Sequence, residues 1–216
     1  MRSKFHEELK EIKAKVARMG KLARQMLKDS IKALVKQDTE LAEKVVSHKG
    51  EIMNMDEEIE QRCLQAIAMY QPTAKDMRTL GVCLKLITYL NRIGRYGKDI
   101  ANVAKELGGK PHITRLVSIP HMAKLVDGMI ADALLAFEEE REMNAQEFTS
   151  RDDDVDALRY SIFRECFTYM IEDSRNIERC MHYALIARYL ERCADHACKI
   201  AEKIIYMVTG ERKEIK

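Results

Sequence analysis

The sequence predicts an all-α protein made of two tandem antiparallel three-helix bundles related by internal duplication. Three observations carry this prediction. The chain has 216 residues but only 9 Gly, 3 Pro and no Trp, too few breakers for anything but long helices. Apolar residues recur at alternating spacings of three and four over long stretches, the period of a helix burying one face. Segments of the first half return in the second. "QMLKDSIKAL" at 25–34 parallels "GMIADALLAF" at 128–137, and "DEEIE" at 56–60 parallels "DDDVD" at 152–156. Tyr89, Leu90, Arg92, Ile100 and Ala101 recur as Tyr189, Leu190, Arg192, Ile200 and Ala201. Ordered repetition of helix-length units indicates a duplicated three-helix unit, and such units bury their stripes against one another.

The first helix carries the stripe Phe5, Leu9, Ile12, Val16, Met19, Ala23, Met26, Ser30 and Ala33. "KQDTELAE" interrupts it, with Asp38 or Thr39 as the N-cap of the next helix. That second helix carries Leu41, Val45, His48, Ile52, Met55, Ile59, Cys63, Ala66 and Tyr70 and ends at "QPT", residues 71–73, because proline disfavours helix in the residue before it. A third helix runs from about Thr73 to Leu107. "GGKPH" at 108–112 is read as a linker, which divides the chain into repeats at 1–107 and 113–216. In the second repeat, Ser118 before "IPHM" is expected to cap a helix with Pro120 in its first turn, reaching about Met143. A fifth helix covers roughly 146–172, "EDSRN" turns the chain, and a sixth runs from about Ser174 to Val208 with Gly210 as its C-cap.

Composition excludes several function classes. Charged residues make up 33% of the chain, yet the net charge is +2 and both signs are mixed throughout. Nucleic-acid binding normally needs a concentrated basic face, so none is expected. No run of about 18 uncharged apolar residues suggests a membrane span. The N-terminus "MRSKFHEELKEIK" has no signal-peptide core. The cysteines Cys63, Cys83, Cys166, Cys180, Cys193 and Cys198 form no CxxC pair and read as small buried apolar residues of a cytosolic protein. Phosphate loops, nucleophile elbows, HExxH and ExxH pairs are all missing from the sequence. It offers no general base with a substrate pocket, so no enzyme is expected.

The informative stretch is "YLERCADHACKIAEKI" at 189–204. On a helical wheel, Ile186, Leu190, Cys193, Ala197, Ile200 and Ile204 share a core arc of roughly 80°. Glu191, Asp195 and Glu202 fall on the far side, beside Cys198. This stripe is either a solvated face or a binding site. With the helical turn near 173–174, antiparallel pairing sets Glu191 opposite Asp156 and Asp195 opposite Asp152. Four carboxylates converging there would repel unless a cation or protons neutralise them. An all-carboxylate groove suits magnesium, manganese or iron as divalent ions. In the first repeat the matching positions are Asn91, Arg95, Lys98 and Asn102, so at most one such site is expected, in the second repeat. Arg95 and Lys98 could there neutralise Glu51 or Asp56. His196 is expected to pack rather than to ligate.

The residues quoted so far, with "MLKDSIKALVKQDTELAEKV" at 26–45, "QPTAKDMR" at 71–78 and "YLERCADHACKIAE" at 189–202, resemble the PhoU-type phosphate-uptake regulators over essentially the whole chain. The resemblance implies a cytoplasmic, non-enzymatic regulatory adaptor, often a homodimer or larger. It implies contact with the phosphate ABC transporter ATPase and its sensor histidine kinase. It also implies divalent metal, iron or manganese foremost, at an acidic motif mapping onto Glu191 and Asp195, with Asp152 and Asp156 facing them. Metal storage or buffering, or service as accessory subunit of another transporter, are the competing readings.

Overall fold

The computed structural model describes residues 2–215. Among them there is no strand, and the helices follow the predicted order. They are α1 (Arg2–Lys36), α2 (Thr39–Ser47), α3 (Lys49–Tyr70), α4 (Ala74–Glu106), α5 (Ser118–Glu139), α6 (Ala145–Glu172) and α7 (Ile177–Thr209), with a short 3₁₀ turn at Ser174–Asn176. In the first bundle α1 packs on α3 and α4, and in the second α5 packs on α6 and α7. The two bundles also share α4–α7 and α1–α5 contacts, so their apolar stripes merge into one continuous core.

Local chemistry explains most element boundaries. The α1 stripe is buried from Phe5 to Ala33, with Leu9 packed at its edge. Ser30 is fully buried but donates its hydroxyl to the Leu27 carbonyl at 2.8 Å, so a polar side chain sits in the seam without an orphaned group. Asp38 is the N-cap of α2, accepting from the Leu41 N–H at 2.9 Å. Gln71 ends α3 in the left-handed region at φ 46. Gly210 does the same for α7 at φ 81, donating to the Tyr206 carbonyl, a conformation glycine adopts without a Cβ penalty.

Three boundaries differ from the sequence reading. The predicted second helix is interrupted at His48, whose N–H turns back to the Val45 carbonyl at 3.2 Å. Ser47 also bonds back to Lys44 at 2.7 Å, and Gly50 follows; side chains that compete for helix carbonyls bend helices in this way. Ser118 does not cap α5. It is the first helical residue, and its hydroxyl donates across to Glu165 at 3.2 Å. The helix before Met143 stops at Glu139, because Glu140 turns left-handed at φ 51.

The connection after α4 is firmly tied. His112 contacts the Tyr183 hydroxyl at 2.8 Å through Nδ1 and the Leu34 carbonyl at 3.0 Å through Nε2, and Arg179 donates to the Pro111 carbonyl at 2.8 Å. Between the bundles, aromatic rings obey the duplication. Tyr89 stacks on His196 at 5.8 Å, while Tyr189 stacks on Tyr96 at 5.6 Å, so each repeat offers one ring from each matched position. Arg24 on α1 grips Asp127 on α5 through two N–H donors.

Candidate functional site

The acidic stretches lie on α6 and α7. Asn144 caps α6 by accepting from Gln146 and Glu147, which starts the helix at Ala145, ahead of "RDDDVD" at 151–156. Packing of α6 along α7 brings Asp152 and Asp156 alongside Asp195. Burial, then Asp195 and Asp156, push the Asp152 carboxyl up to about 6, even though a hydrogen bond with the Cys198 thiol acts the other way. Asp195 is likewise raised, first by burial, with Asp156 adding to it and Arg192 opposing. Glu191 is raised by burial and then by Asp195. The groove thus holds carboxylates whose charged forms are under-compensated.

Arginines cover this groove, a feature the wheel did not foresee. Arg188 donates to Glu191 at 2.6 Å, and Arg192 reaches Asp195 at 3.3 Å. Arg159 lies 3.8 Å from Asp156 and stacks over Tyr160 and Phe163. The signal was present as the i, i+3 spacings Arg188–Glu191 and Arg192–Asp195, which place opposite charges on one helix face. The Glu191 side chain is only 12% exposed, and its second oxygen, Oε2, is buried without a hydrogen-bond partner. Among the described residues, no three His, Cys, Asp or Glu side chains are gathered closely enough to hold a metal ion as they stand. Asp152, Asp156, Glu191 and Asp195 therefore share a groove and a field, but their oxygens point to separate partners.

The remaining members of the opening stretch do other things. His196 is flanked by the Tyr89 and Tyr96 rings. Burial, then Arg92 and Arg192, bring it down to about 4, so it packs as a neutral ring. Glu202 does not join the groove. It is only 7% exposed and accepts from Lys199 at 2.8 Å and from the Ile215 N–H at 3.0 Å, at the other end of α7. In the first repeat, Asn91 itself donates to Asp56 at 2.6 Å. The neutralising role expected of Arg95 and Lys98 is not needed: Lys98 pairs with its neighbour Asp99, and Glu51 pairs with His48. All six cysteines are buried and unbridged.

Comparison with known proteins agrees with this architecture. The PhoU domain model matches twice, over residues 16–104 and 119–204. The chain is 35% identical to a Clostridium acetobutylicum protein described as a phosphate-specific transport system accessory protein PhoU homolog, covering 98% of this chain and 97% of that one. It is 38% identical to the Aquifex aeolicus protein of the same description, covering 96% and 94%. The crystal structure of PhoU from Pseudomonas aeruginosa superposes with a TM-score of 0.91 at 33% identity, covering 96% of this chain and 100% of that chain. Two copies of the domain, a fold that superposes from end to end and identity sustained along the full length together establish that the chain belongs to the PhoU family.

Proposed function

We propose that this chain is a non-enzymatic accessory regulator of phosphate transport that acts by protein contact and links the transporter to phosphate-starvation signalling. Full-length similarity to proteins described as phosphate-specific transport system accessory proteins carries the reading. Its partners are then the transporter ATPase and a sensor histidine kinase on the cytoplasmic side, with a homodimer as the working form. No helix among the described residues is long and apolar enough to cross a membrane, in keeping with docking rather than insertion. Contact surfaces and not chemistry are then the working parts.

The groove between α6 and α7 is the proposed divalent-cation site of this regulator. The donor chemistry fits: four carboxylates, one with a buried oxygen that has no hydrogen-bond partner, and Asp152 driven toward protonation by burial and then by Asp195 and Asp156. Hard oxygen donors favour iron, manganese or magnesium over soft-ligand metals. A bound cation would supply the missing charge, while Arg159, Arg188 and Arg192 would release the carboxylates they now hold.

Two measurements test these statements separately. Metal content after anaerobic purification should fall to background in Glu191→Ala/Asp195→Ala; equal content in both proteins, or none in either after reconstitution, overturns the cation site. Affinity capture on the phosphate transporter ATPase should retain the chain. If capture fails, and if deletion leaves phosphate-starvation reporters repressed in rich phosphate, the adaptor reading is overturned.

A further inference from the structure

At the end of α7 opposite its turn with α6, a groove of ≈ 820 Å³ opens between α4, α7 and the C-terminal segment. Six cations line it: Arg78, Lys85, Lys199, Lys203, Arg212 and Lys213. The groove is built, not merely exposed. After the left-handed turn at Gly210, residues 211–215 fold back along the helices. The Ile215 N–H bonds to Glu202 at 3.0 Å, the Ile215 side chain is buried, and Lys213 pairs with Glu142 at 3.0 Å. The segment therefore forms one wall and is held at both ends.

The local carboxylates do not balance this charge. Glu202 is already engaged by Lys199 and by Ile215, and Glu214 acts on Lys199. Arg78 and Arg212 both lie against the single ring of Tyr206, at 5.9 and 5.5 Å from its centroid. The Arg78 Nε is buried without a hydrogen-bond partner, a cost proteins seldom bear without a ligand or water to meet it. Ala74, in the first turn of α4, also lines the groove, so the positive end of that helix faces inward. Arg78 is the arginine of "QPTAKDMR", whose Gln71 ends α3 and whose Thr73 precedes α4. The lysine-rich groove between α1 and α5 has no such feature, and its acid, Asp127, is bound to Arg24.

We propose that this groove binds a small anion carrying a chain of two or more phosphoryl groups, either an inorganic oligophosphate or a nucleotide. A guanidinium fork and ammonium points are the donors suited to phosphoryl oxygens. Arg78, Lys85, Lys203 and Arg212 form no ion pair among the described residues, and a cavity of ≈ 820 Å³ is much larger than one orthophosphate fills. The inference is independent of the cation groove, which lies farther along α7, and of the transport partner.

Isothermal titration of the full chain with orthophosphate, sulfate, pyrophosphate, triphosphate and ATP, at physiological ionic strength and without divalent metal, tests it. Pyrophosphate or triphosphate should saturate one site, with orthophosphate and sulfate at least ~10-fold weaker. Arg78→Gln and Lys203→Gln should each weaken binding by ~10-fold. Lys44→Gln, an exposed lysine on α2, should not. Lys203→Gln guards against Arg78→Gln acting through the fold, and circular dichroism confirms that each variant is folded. ATP binding tighter than triphosphate identifies a nucleotide, and equal binding identifies the phosphoryl chain alone. The proposal is overturned if no oligophosphate saturates a site, if folded Arg78→Gln and Lys203→Gln bind as the native chain does, or if Lys44→Gln weakens binding equally.

Discussion

One backbone-to-backbone helix contact in the first bundle rests on a missing methyl group. A Cβ added at Gly97 would lie 2.9 Å from the Leu27 nitrogen and 3.0 Å from the Met26 carbonyl carbon, both backbone atoms of α1. Neither atom can swing aside, so α1 and α4 would have to separate. Overpacking of this kind costs about 1–3 kcal/mol, offset by about 1 kcal/mol from the better helix propensity of alanine. Gly97→Ala should therefore destabilise by about 1 kcal/mol or slightly more. In a chain of this length that lowers Tm by about 2–4 °C per kcal/mol. Gly81 lies in the same helix, and a Cβ there meets nothing within 4 Å. Gly81→Ala should gain up to about 1 kcal/mol. Thermal unfolding followed by circular dichroism at one scan rate compares the two. A Gly97→Ala protein as stable as Gly81→Ala would refute the close-approach argument, because propensity alone would then account for both.

Other perturbations follow from named contacts. Asn91→Asp replaces the amide that serves Asp56 with a second carboxylate and should cost about 1–2 kcal/mol; urea denaturation that shows no loss would mean that the Asn91–Asp56 bond carries no net stability. Arg24→Met removes the two-pronged link to Asp127 across the repeats. Both side chains keep some exposure, at 34% and 19%, so the loss should be only about 0.5–1 kcal/mol, read as a shift in denaturation midpoint. Burial pushes the Cys63 and Cys166 thiols up from 9.0 to about 12. Because the folded values lie above the unfolded ones, stability from this source is intact below pH 9 and is lost as pH rises from 9 toward 12. Denaturation midpoints across that window should fall less steeply in Cys63→Ala/Cys166→Ala than in the native chain; identical slopes would remove the thiols as a cause.

Elements whose stripes are long and regular were legible in the sequence. The α1 seam, the α7 core arc and the Gly210 stop all depend on local periodicity and backbone chemistry, which a single sequence displays. The break at His48 was not legible, because the apolar spacing runs straight through it and the cause is a serine bonding back to its own helix. At the candidate site, placing Asp152 beside Asp195 needed only antiparallel pairing and a turn position. The arginine cover needed rotamers as well, since Arg188 could have pointed to solvent instead of to Glu191. Glu202 was misplaced for a further reason: a wheel gives its direction from the helix axis, but not that the chain end returns to bury it. The basic groove escaped notice because its cations come from three distant segments, residues 78–85, 199–203 and 212–213, and no sequence window contains them together.

The two repeats give the site its strongest internal comparison. Both pack two long helices antiparallel in the same way, so both must settle the charges along that seam. The first repeat does so with one amide, Asn91 on Asp56. The second carries Glu191, Asp195, Asp152 and Asp156 along the seam and adds Arg159, Arg188 and Arg192 as their partners. Yet Asp152 is still pushed up to about 6, and Glu191 Oε2 still has no hydrogen-bond partner, with only the Arg192 guanidinium 3.9 Å away. If the seam needed only to be neutral, an amide would suffice there too, at less electrostatic cost. Retaining four acids where the fold requires none is what a cation site would demand, and loss of bound metal in Glu191→Ala/Asp195→Ala with an unchanged Tm is the result that separates that demand from packing.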